Sequence, residues 1–314
     1  MKKEFKELLV KEFDREVEED FEEVDETKML EEQLTSYKKL EESGEDSYWF
    51  YCKLGSCLGK LKKREEAIKY LLKAEVKKEY DVNGWLNSEL AWNYGALGKH
   101  KLAIYYLKQA QSYERNDAWV TSEIGWNYSK MGNLKKAIEY YQLSFQKGRH
   151  DYWLNAEMAL IYEQLEDYKQ AINYYNGAKL YNDSDIWVNS HIAWCLERLG
   201  EVDEAFELLL FVEELGRDDV WIHSQKAWCY SKKFQHDKAI ESLNKAKEKG
   251  RDDFWILCEY SWNYSMLKEY DKAIEFMEKA KKINSNDEWL LKQMKIVEKK
   301  IEEKNNDKKS MEKE

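Results

Sequence analysis

Apolar residues follow the period of an amphipathic helix along most of the chain. In EIGWNYSKMGNLKKAIEYYQLS, which spans 123–144, they form two segments separated by the turn MGNL. Over a whole copy of the pattern each segment is roughly 13 to 15 residues long, which is typical of a short helix. The pattern predicts a helical hairpin, and a single hairpin cannot bury its apolar face alone. Because the two-segment pattern returns throughout the chain, we expect the hairpins to stack on one another.

The hairpin pattern returns with a period of 34 residues. Tryptophans mark this period at Trp49, Trp85, Trp119, Trp153, Trp187, Trp221, Trp255 and Trp289. Only the first interval differs, since Trp49 lies 36 residues before Trp85. An alanine follows 18 residues after each of the first seven, at Ala67, Ala103, Ala137, Ala171, Ala205, Ala239 and Ala273. Internal repetition of this length is typical of solenoid proteins.

Several positions of the repeat resemble those of the tetratricopeptide repeat family. In the copy at 123–144 they are Ile124, Gly125, Tyr128, Gly132, Ala137, Tyr141 and Ser144. The resemblance covers about residues 47 to 290. It implies an all-α solenoid, a right-handed superhelix of helix-turn-helix repeats whose first helices line a concave groove. The chain departs from the family in having no proline and in carrying its Trp two places upstream. The GRDDxW linkers resemble those of a Trp-rich bacterial subset of the family.

Four segments follow from these patterns. We predict an acidic helical cap or degenerate repeat at 1–46, seven repeats at 47–288, a capping helix at 289–303 and a disordered tail at 304–314. Residues 1 to 47 hold eighteen acidic and eight basic side chains, so they carry nearly all of the net charge of −11. The repeat region is therefore close to neutral.

The linkers between repeats combine a helix stop with a helix start. Gly148, Gly216 and Gly250 follow a helix, where a left-handed residue closes the C-terminus without a Cβ clash. An Asp lies two residues before six of these eight tryptophans, at Asp117, Asp151, Asp185, Asp219, Asp253 and Asp287, and we predict that each caps the next helix. Arg149, Arg217 and Arg251 are expected to pair with neighbouring acids at the surface, where each pair contributes little.

Most repeats carry a second Trp seven residues after the first, on the same helical face. At about 100° per residue, Val120, Ile124, Tyr128 and Met131 form the core stripe of one first helix, and its two indoles lie off that stripe. By the resemblance, the indoles and intervening serines line the groove. The candidate partner-binding residues are Trp85, Trp92, Trp119, Trp126, Trp153, Trp187, Trp194, Trp221, Trp228, Trp255, Trp262, Ser122, Ser190 and Ser224. The alternative is that each Trp packs against the adjoining repeat.

Composition and motifs argue against several other classes. We identify no catalytic, metal-binding or cofactor-binding constellation, because the five histidines are scattered and the five cysteines form no CxxC pair. The repeat region has no basic stripe for nucleic acid, and no stretch approaches a membrane span. Unpaired cysteines favour a reduced, cytoplasmic protein.

The leading hypothesis is a non-enzymatic, cytoplasmic scaffold that binds a protein or peptide along the Trp-lined groove. One alternative is a structural protein that self-associates through the ends or edges of its solenoid, with the Trp ladder internal. Carbohydrate or RNA binding in the groove is a weaker alternative, since stacked indoles suit both sugar and base faces.

Overall fold

The computed structural model describes residues 23–77, 84–113 and 115–311. Within these ranges every regular element is an α-helix, and there are sixteen. Within each of the two units of the chain consecutive helices contact one another, so the fold is an all-α solenoid, as predicted. The chain divides into two compact units, residues 1–165 and 166–314, and each is described by itself.

Unit one contains eight helices: α1 Glu23–Glu42, α2 Tyr48–Lys60, α3 Arg64–Val76, α4 Trp85–Ala96, α5 His100–Ser112, α6 Ala118–Lys130, α7 Leu134–Gln146 and α8 Tyr152–Gln164. Unit two contains the other eight: α9 Tyr168–Lys179, α10 Ile186–Leu199, α11 Val202–Glu214, α12 Val220–Lys232, α13 His236–Glu248, α14 Phe254–Met266, α15 Tyr270–Ile283 and α16 Glu288–Met311. The even-numbered helices α2 to α14 are the first helices of their repeats, and each carries the Trp positions.

The α6/α7 hairpin shows how one repeat is built. Val120 and Ile124 of α6 and Tyr141 of α7 are completely buried between the two helices. Gly125 allows this approach, since a Cβ there would lie 2.6 Å from Cδ1 of Tyr141. Met131 was expected in the same core stripe, and that prediction is wrong. It is 41% exposed because it is the C-cap residue, where the helix ends.

The linkers behave as predicted. Each capping Asp accepts a hydrogen bond from the backbone N–H three residues later: Asp117 from Val120, Asp151 from Leu154, Asp185 from Val188, Asp219 from Ile222, Asp253 from Ile256 and Asp287 from Leu290. Gly148, Gly216 and Gly250 have φ of 91°, 101° and 102°, in the left-handed region that suits glycine. These local signals fix where each first helix begins and where the preceding helix ends.

Helices cover both ends of the repeat region. Residues 1–22 of the predicted acidic cap lie outside the described residues, and α1 follows them. At the other end α16 continues past residue 303 to Met311, so the first residues of the predicted disordered tail are helical here. Residues 312–314 lie outside the described part of the chain. Among the described helices, none is both long and apolar enough to cross a membrane.

Candidate functional site

Most tryptophans of the first helices are partly buried. Of the eleven that we predicted as groove residues, Trp221 is buried at 4% exposure and Trp262 is 36% exposed. The other nine are partly buried: Trp85, Trp92, Trp119, Trp126, Trp153, Trp187, Trp194, Trp228 and Trp255. Each of these nine indoles thus has one part packed against protein and another part at the surface.

Neighbouring repeats supply much of the packing. The ring of Trp153 meets Tyr141 of the preceding helix edge-on, with ring centroids 6.0 Å apart. Trp187 meets Tyr175 in the same way at 5.7 Å. The second Trp of a repeat packs closely too, since a Cβ on Gly95 of α4 would lie 3.2 Å from Cζ3 of Trp126. Contacts between repeats therefore hold the indoles in fixed positions.

Cationic side chains cover part of the indole surface. The linker Arg of a repeat lies over the first Trp that follows it: Arg115 over Trp119 at 5.3 Å, Arg149 over Trp153 at 4.5 Å, Arg217 over Trp221 at 4.4 Å and Arg251 over Trp255 at 4.6 Å. Second tryptophans are approached by a cation one turn later: Lys130 over Trp126 at 5.6 Å, Arg198 over Trp194 at 5.5 Å and Lys232 over Trp228 at 5.3 Å. Indole faces attract cations through the ring quadrupole.

Each linker Arg of the GRDD type also connects two repeats. In one copy, Arg217 donates from Nε to Oδ2 of Asp219 at 2.8 Å and from Nη1 to Oγ of Ser190 at 2.8 Å. The same pattern holds Arg251 to Asp253 and Ser224, and Arg149 to Asp151 and Ser122. Each pairs with a neighbouring acid as predicted, but the expected surface location is wrong, because these arginine side chains are only 10 to 17% exposed. They are fixed parts of the junction between repeats.

The three predicted serines lie inside this junction. Ser122, Ser190 and Ser224 are buried. Their hydroxyls donate to helix carbonyls of Trp119, Ile186 and Val220 respectively, while accepting from the linker arginines. Because protein atoms enclose them, these serines position the arginines and do not line the groove as expected.

Three of the predicted tryptophans meet around a cavity in unit one. The cavity has a volume of about 280 Å³, opens to solvent and is lined by Trp92, Ala96, Glu123, Trp126, Arg149 and Trp153. These residues come from α4, α6, α8 and the linker before α8. The structure thus brings together indoles from three consecutive first helices with one carboxyl and one guanidinium group.

Glu123 is the titratable group of this cavity. Burial raises its pKa to about 7, against the pull of Arg149, while Glu157 raises the pKa further. None of the described residues donates a hydrogen bond to its carboxylate or forms an ion pair with it. Arg149 is close, but its ion pair is with Asp151 at 2.7 Å. The cavity therefore holds a desolvated carboxyl group with no direct partner in this part of the chain.

Sequence reasoning missed this carboxyl position, although its register is visible. The fifth position, counted from the first Trp as one, carries Glu89, Glu123, Glu157, His191, Gln225 and Glu259 in successive repeats. Burial raises the pKa of Glu259 to about 7 as well, and it also raises the pKa of Glu89 and Glu157. The recurrence of Glu between two tryptophans was the signal that would have identified it.

Other chemistry-bearing residues are engaged in packing. The cysteines Cys52, Cys57, Cys195, Cys229 and Cys258 are buried, and none of them forms a disulfide within the described part of the chain. His191 is buried, and its Nδ1 shares a hydrogen bond of 3.0 Å with the hydroxyl of Tyr175. Among the described residues, no group of three or more His, Cys, Asp or Glu side chains is arranged to hold a metal ion.

Stacked helical hairpins with a recurring junction define the chain as an all-α repeat scaffold. Five segments match the sequence model of the tetratricopeptide repeat, at residues 50–75, 122–146, 154–184, 222–248 and 256–287. These segments are tetratricopeptide repeats, so the predicted resemblance to that family is confirmed. The placement of the chain in a Trp-rich bacterial subset stays a prediction.

Solved structures show the same fold at low sequence identity. A tetratricopeptide repeat protein from Parabacteroides merdae is 17% identical, with a TM-score of 0.55 over 81% of this chain and 99% of its own. The C-terminal part of a repeat protein from Cytophaga hutchinsonii is 17% identical, with a TM-score of 0.62 over 76% of this chain and 97% of its own. No curated protein sequence matches the chain. At this identity the likeness shows the fold alone.

Proposed function

We propose that the chain is a non-enzymatic scaffold that binds a protein or peptide on the Trp-bearing face of its first helices. The observation that carries this proposal is the open cavity between Trp92, Trp126 and Trp153. Partly exposed indoles grouped around such a space are typical of a recognition surface.

The junctions between repeats favour binding by keeping these indoles in place. Trp153 lies between the guanidinium of Arg149 at 4.5 Å and the ring of Tyr141 at 6.0 Å. A partner that packs against an indole already fixed in this way loses little further side-chain entropy on the scaffold side. The five cysteines are buried and form no disulfide among the described residues, which supports a reducing compartment, and we propose the cytoplasm.

A peptide-display selection tests the proposal directly. The purified full chain is immobilised and screened against a random peptide library, and the recovered peptides are synthesised and titrated. Binding is then measured with the double variant Trp92→Ala and Trp126→Ala. We expect this variant to lose about tenfold or more in affinity, since buried aromatic anchors dominate such interfaces.

Trp49→Ala serves as the matched control. Trp49 is the most exposed tryptophan of the described residues at 66%, and it lies outside the cavity. The control should keep peptide binding, and circular dichroism should show all three proteins folded. Recovery of no peptides, together with concentration-dependent sedimentation, would favour the self-associating alternative. Equal binding by the double variant would refute the Trp face as the binding surface.

A further inference from the structure

We propose that the cavity between Trp92, Trp126 and Trp153 binds an alkylammonium group, the lysine or N-methylated lysine side chain of a partner polypeptide. The inference rests on the proposed function, because it specifies which part of a bound peptide this cavity holds. It follows from three features of the cavity: the kind of wall, the unpaired carboxyl group and the size.

Three of the six residues that line the cavity are tryptophans. Trp faces attract cations more strongly than other aromatic rings do, and grouped aromatic rings recognise methylated ammonium groups. The chain itself shows the attraction, since Arg64 lies over Trp92 at 3.8 Å and Lys130 approaches Trp126 at 5.6 Å. A cavity bordered by three such rings favours a cation over a neutral apolar group of the same shape.

Among the residues that line the cavity, Glu123 is the carboxyl group that a cationic ligand would meet. Glu123 has no direct hydrogen-bond or ion-pair partner among the described residues, and burial raises its pKa. Arg149 does not provide a matching site for an anion, because it pairs with Asp151 and Ser122 and its guanidinium lies against Trp153. An entering ammonium group would place a positive charge beside the Glu123 carboxylate, which has no ion-pair partner in the described part of the chain.

The volume fits one side chain. Cavities for drug-sized molecules measure roughly 300 to 1,000 Å³, so a cavity of about 280 Å³ suits a single long side chain better than a larger ligand. The opening to solvent would let the rest of the peptide lie along the first helices. A lysine side chain has the length and the terminal charge to reach Glu123 from that surface.

The test uses four tripeptides, acetyl-Gly-Xaa-Gly-amide, titrated into the full chain by calorimetry. Xaa is lysine, trimethyl-lysine, the neutral carbon isostere of trimethyl-lysine, or glutamate. We expect trimethyl-lysine to bind about tenfold more tightly than its neutral isostere, since the difference between them is the charge at the indoles and at Glu123. Equal binding of the two, or a preference for glutamate, would overturn the proposal.

Variants locate the site. Glu123→Gln keeps the shape and removes the charge, so it should weaken trimethyl-lysine binding by about tenfold without weakening the neutral isostere. Trp126→Phe should weaken it several-fold, because Phe is a poorer partner for a cation. Glu139→Gln, at an exposed position of α7, is the matched control and should bind as the parent does. Melting curves of each variant separate loss of binding from loss of folding.

The pH dependence of binding gives an independent test of the role of Glu123. Binding should weaken as the pH falls from 8 to 5.5, because Glu123 becomes protonated, and the Glu123→Gln variant should lose most of this dependence. Charged and titratable groups near Glu123 and its indoles are Arg64, Arg149, Asp151, Glu157, Lys130 and His100. A control titration of His100→Asn distinguishes the histidine from the carboxyl group. A pH dependence that disappears with His100 and remains in Glu123→Gln would contradict the assignment.

Failure of this inference is distinguishable from failure of the proposed function. If selected peptides bind the Trp face without enrichment of lysine and independently of Glu123, the peptide scaffold stands and the ammonium site is refuted. If tetramethylammonium chloride binds in a Glu123-dependent way while no peptide is retained, the source of the cation is not a polypeptide. Both the peptide assignment here and the proposed scaffold function would then be overturned.

Discussion

Replacing Glu123 with Gln should make the protein more stable at pH 8.5 and weaken its proposed ligand binding. In the folded chain burial raises the pKa of this carboxyl group from 4.5 to about 7. Between pH 4.5 and about pH 7 the folded state keeps a proton on Glu123 that the unfolded state has released. Stability contributed by the protonated group is therefore present at low pH and lost as the pH rises from 4.5 to 7.

The magnitude follows from the size of the pKa change. At 1.36 kcal/mol per pKa unit, the whole shift corresponds to about 3 kcal/mol, reached only above pH 7. Water that enters the open cavity reduces this value, so we expect Glu123→Gln to gain about 1 to 3 kcal/mol at pH 8.5. At pH 5 only about a quarter of the gain should remain, because the folded carboxyl is then neutral and the unfolded one is mostly ionised.

Urea unfolding at pH 5 and 8.5, followed by circular dichroism, measures both values. Hydrogen exchange of the α6 amides reports whether the gain is local to the helix that carries Glu123, since repeat arrays unfold in parts. Glu139→Gln, at the exposed position of α7, should change stability by less than about 0.5 kcal/mol at either pH. A variant less stable than the parent at pH 8.5, or a difference that does not depend on pH, would refute the reasoning.

Three further substitutions test the junctions and the row of fifth positions by the same urea assay. Arg217→Ala should lose about 2 to 3 kcal/mol, since it removes the hydrogen bonds that this buried guanidinium donates to Ser190 and Asp219, and Arg217→Lys should not restore them. Asp253→Ala should lose about 1 kcal/mol with its helix cap, whereas Asp252→Ala, at an exposed position, should stay within about 0.5 kcal/mol. Gln225→Met should gain about 1 kcal/mol, because Nε2 of this buried amide has no partner. Equal losses for the two Asp variants, or a loss for Gln225→Met, would contradict the assigned roles.

The fold was readable from the sequence because its signals are local. A left-handed Gly and a capping Asp act within a few residues of themselves, so Gly216 and Asp219 could be assigned from neighbouring letters alone. The 34-residue period then extended one assignment to every copy. Helical spacing places Met131 in the core stripe, whereas the helix has already ended at this C-cap residue.

The site was less predictable because its contacts join distant parts of the sequence. The hydroxyl that accepts from Arg217 belongs to Ser190, 27 residues earlier. Nothing in the letters GRDD indicates that the arginine contacts the preceding repeat. The sequence therefore predicts a surface charge where the structure has a buried arginine. The cavity likewise depends on how three first helices stack, and helical spacing within one of them does not determine its volume.

The repeats combine a constant frame with a changing position. The capping Asp and the first Trp recur at every junction from Asp117 to Trp289, while the fifth position changes from Glu to His to Gln. Because the capping Asp and the first Trp are the same in these copies, successive first helices can pack in the same way. The copies then differ in charge at the fifth position. Both Glu123 and Gln225 keep polar groups where an apolar side chain would cost less. If Glu123→Gln and Gln225→Met stabilise the protein as predicted, packing does not explain these two polar groups. Recognition of a ligand group at the fifth position would then explain them.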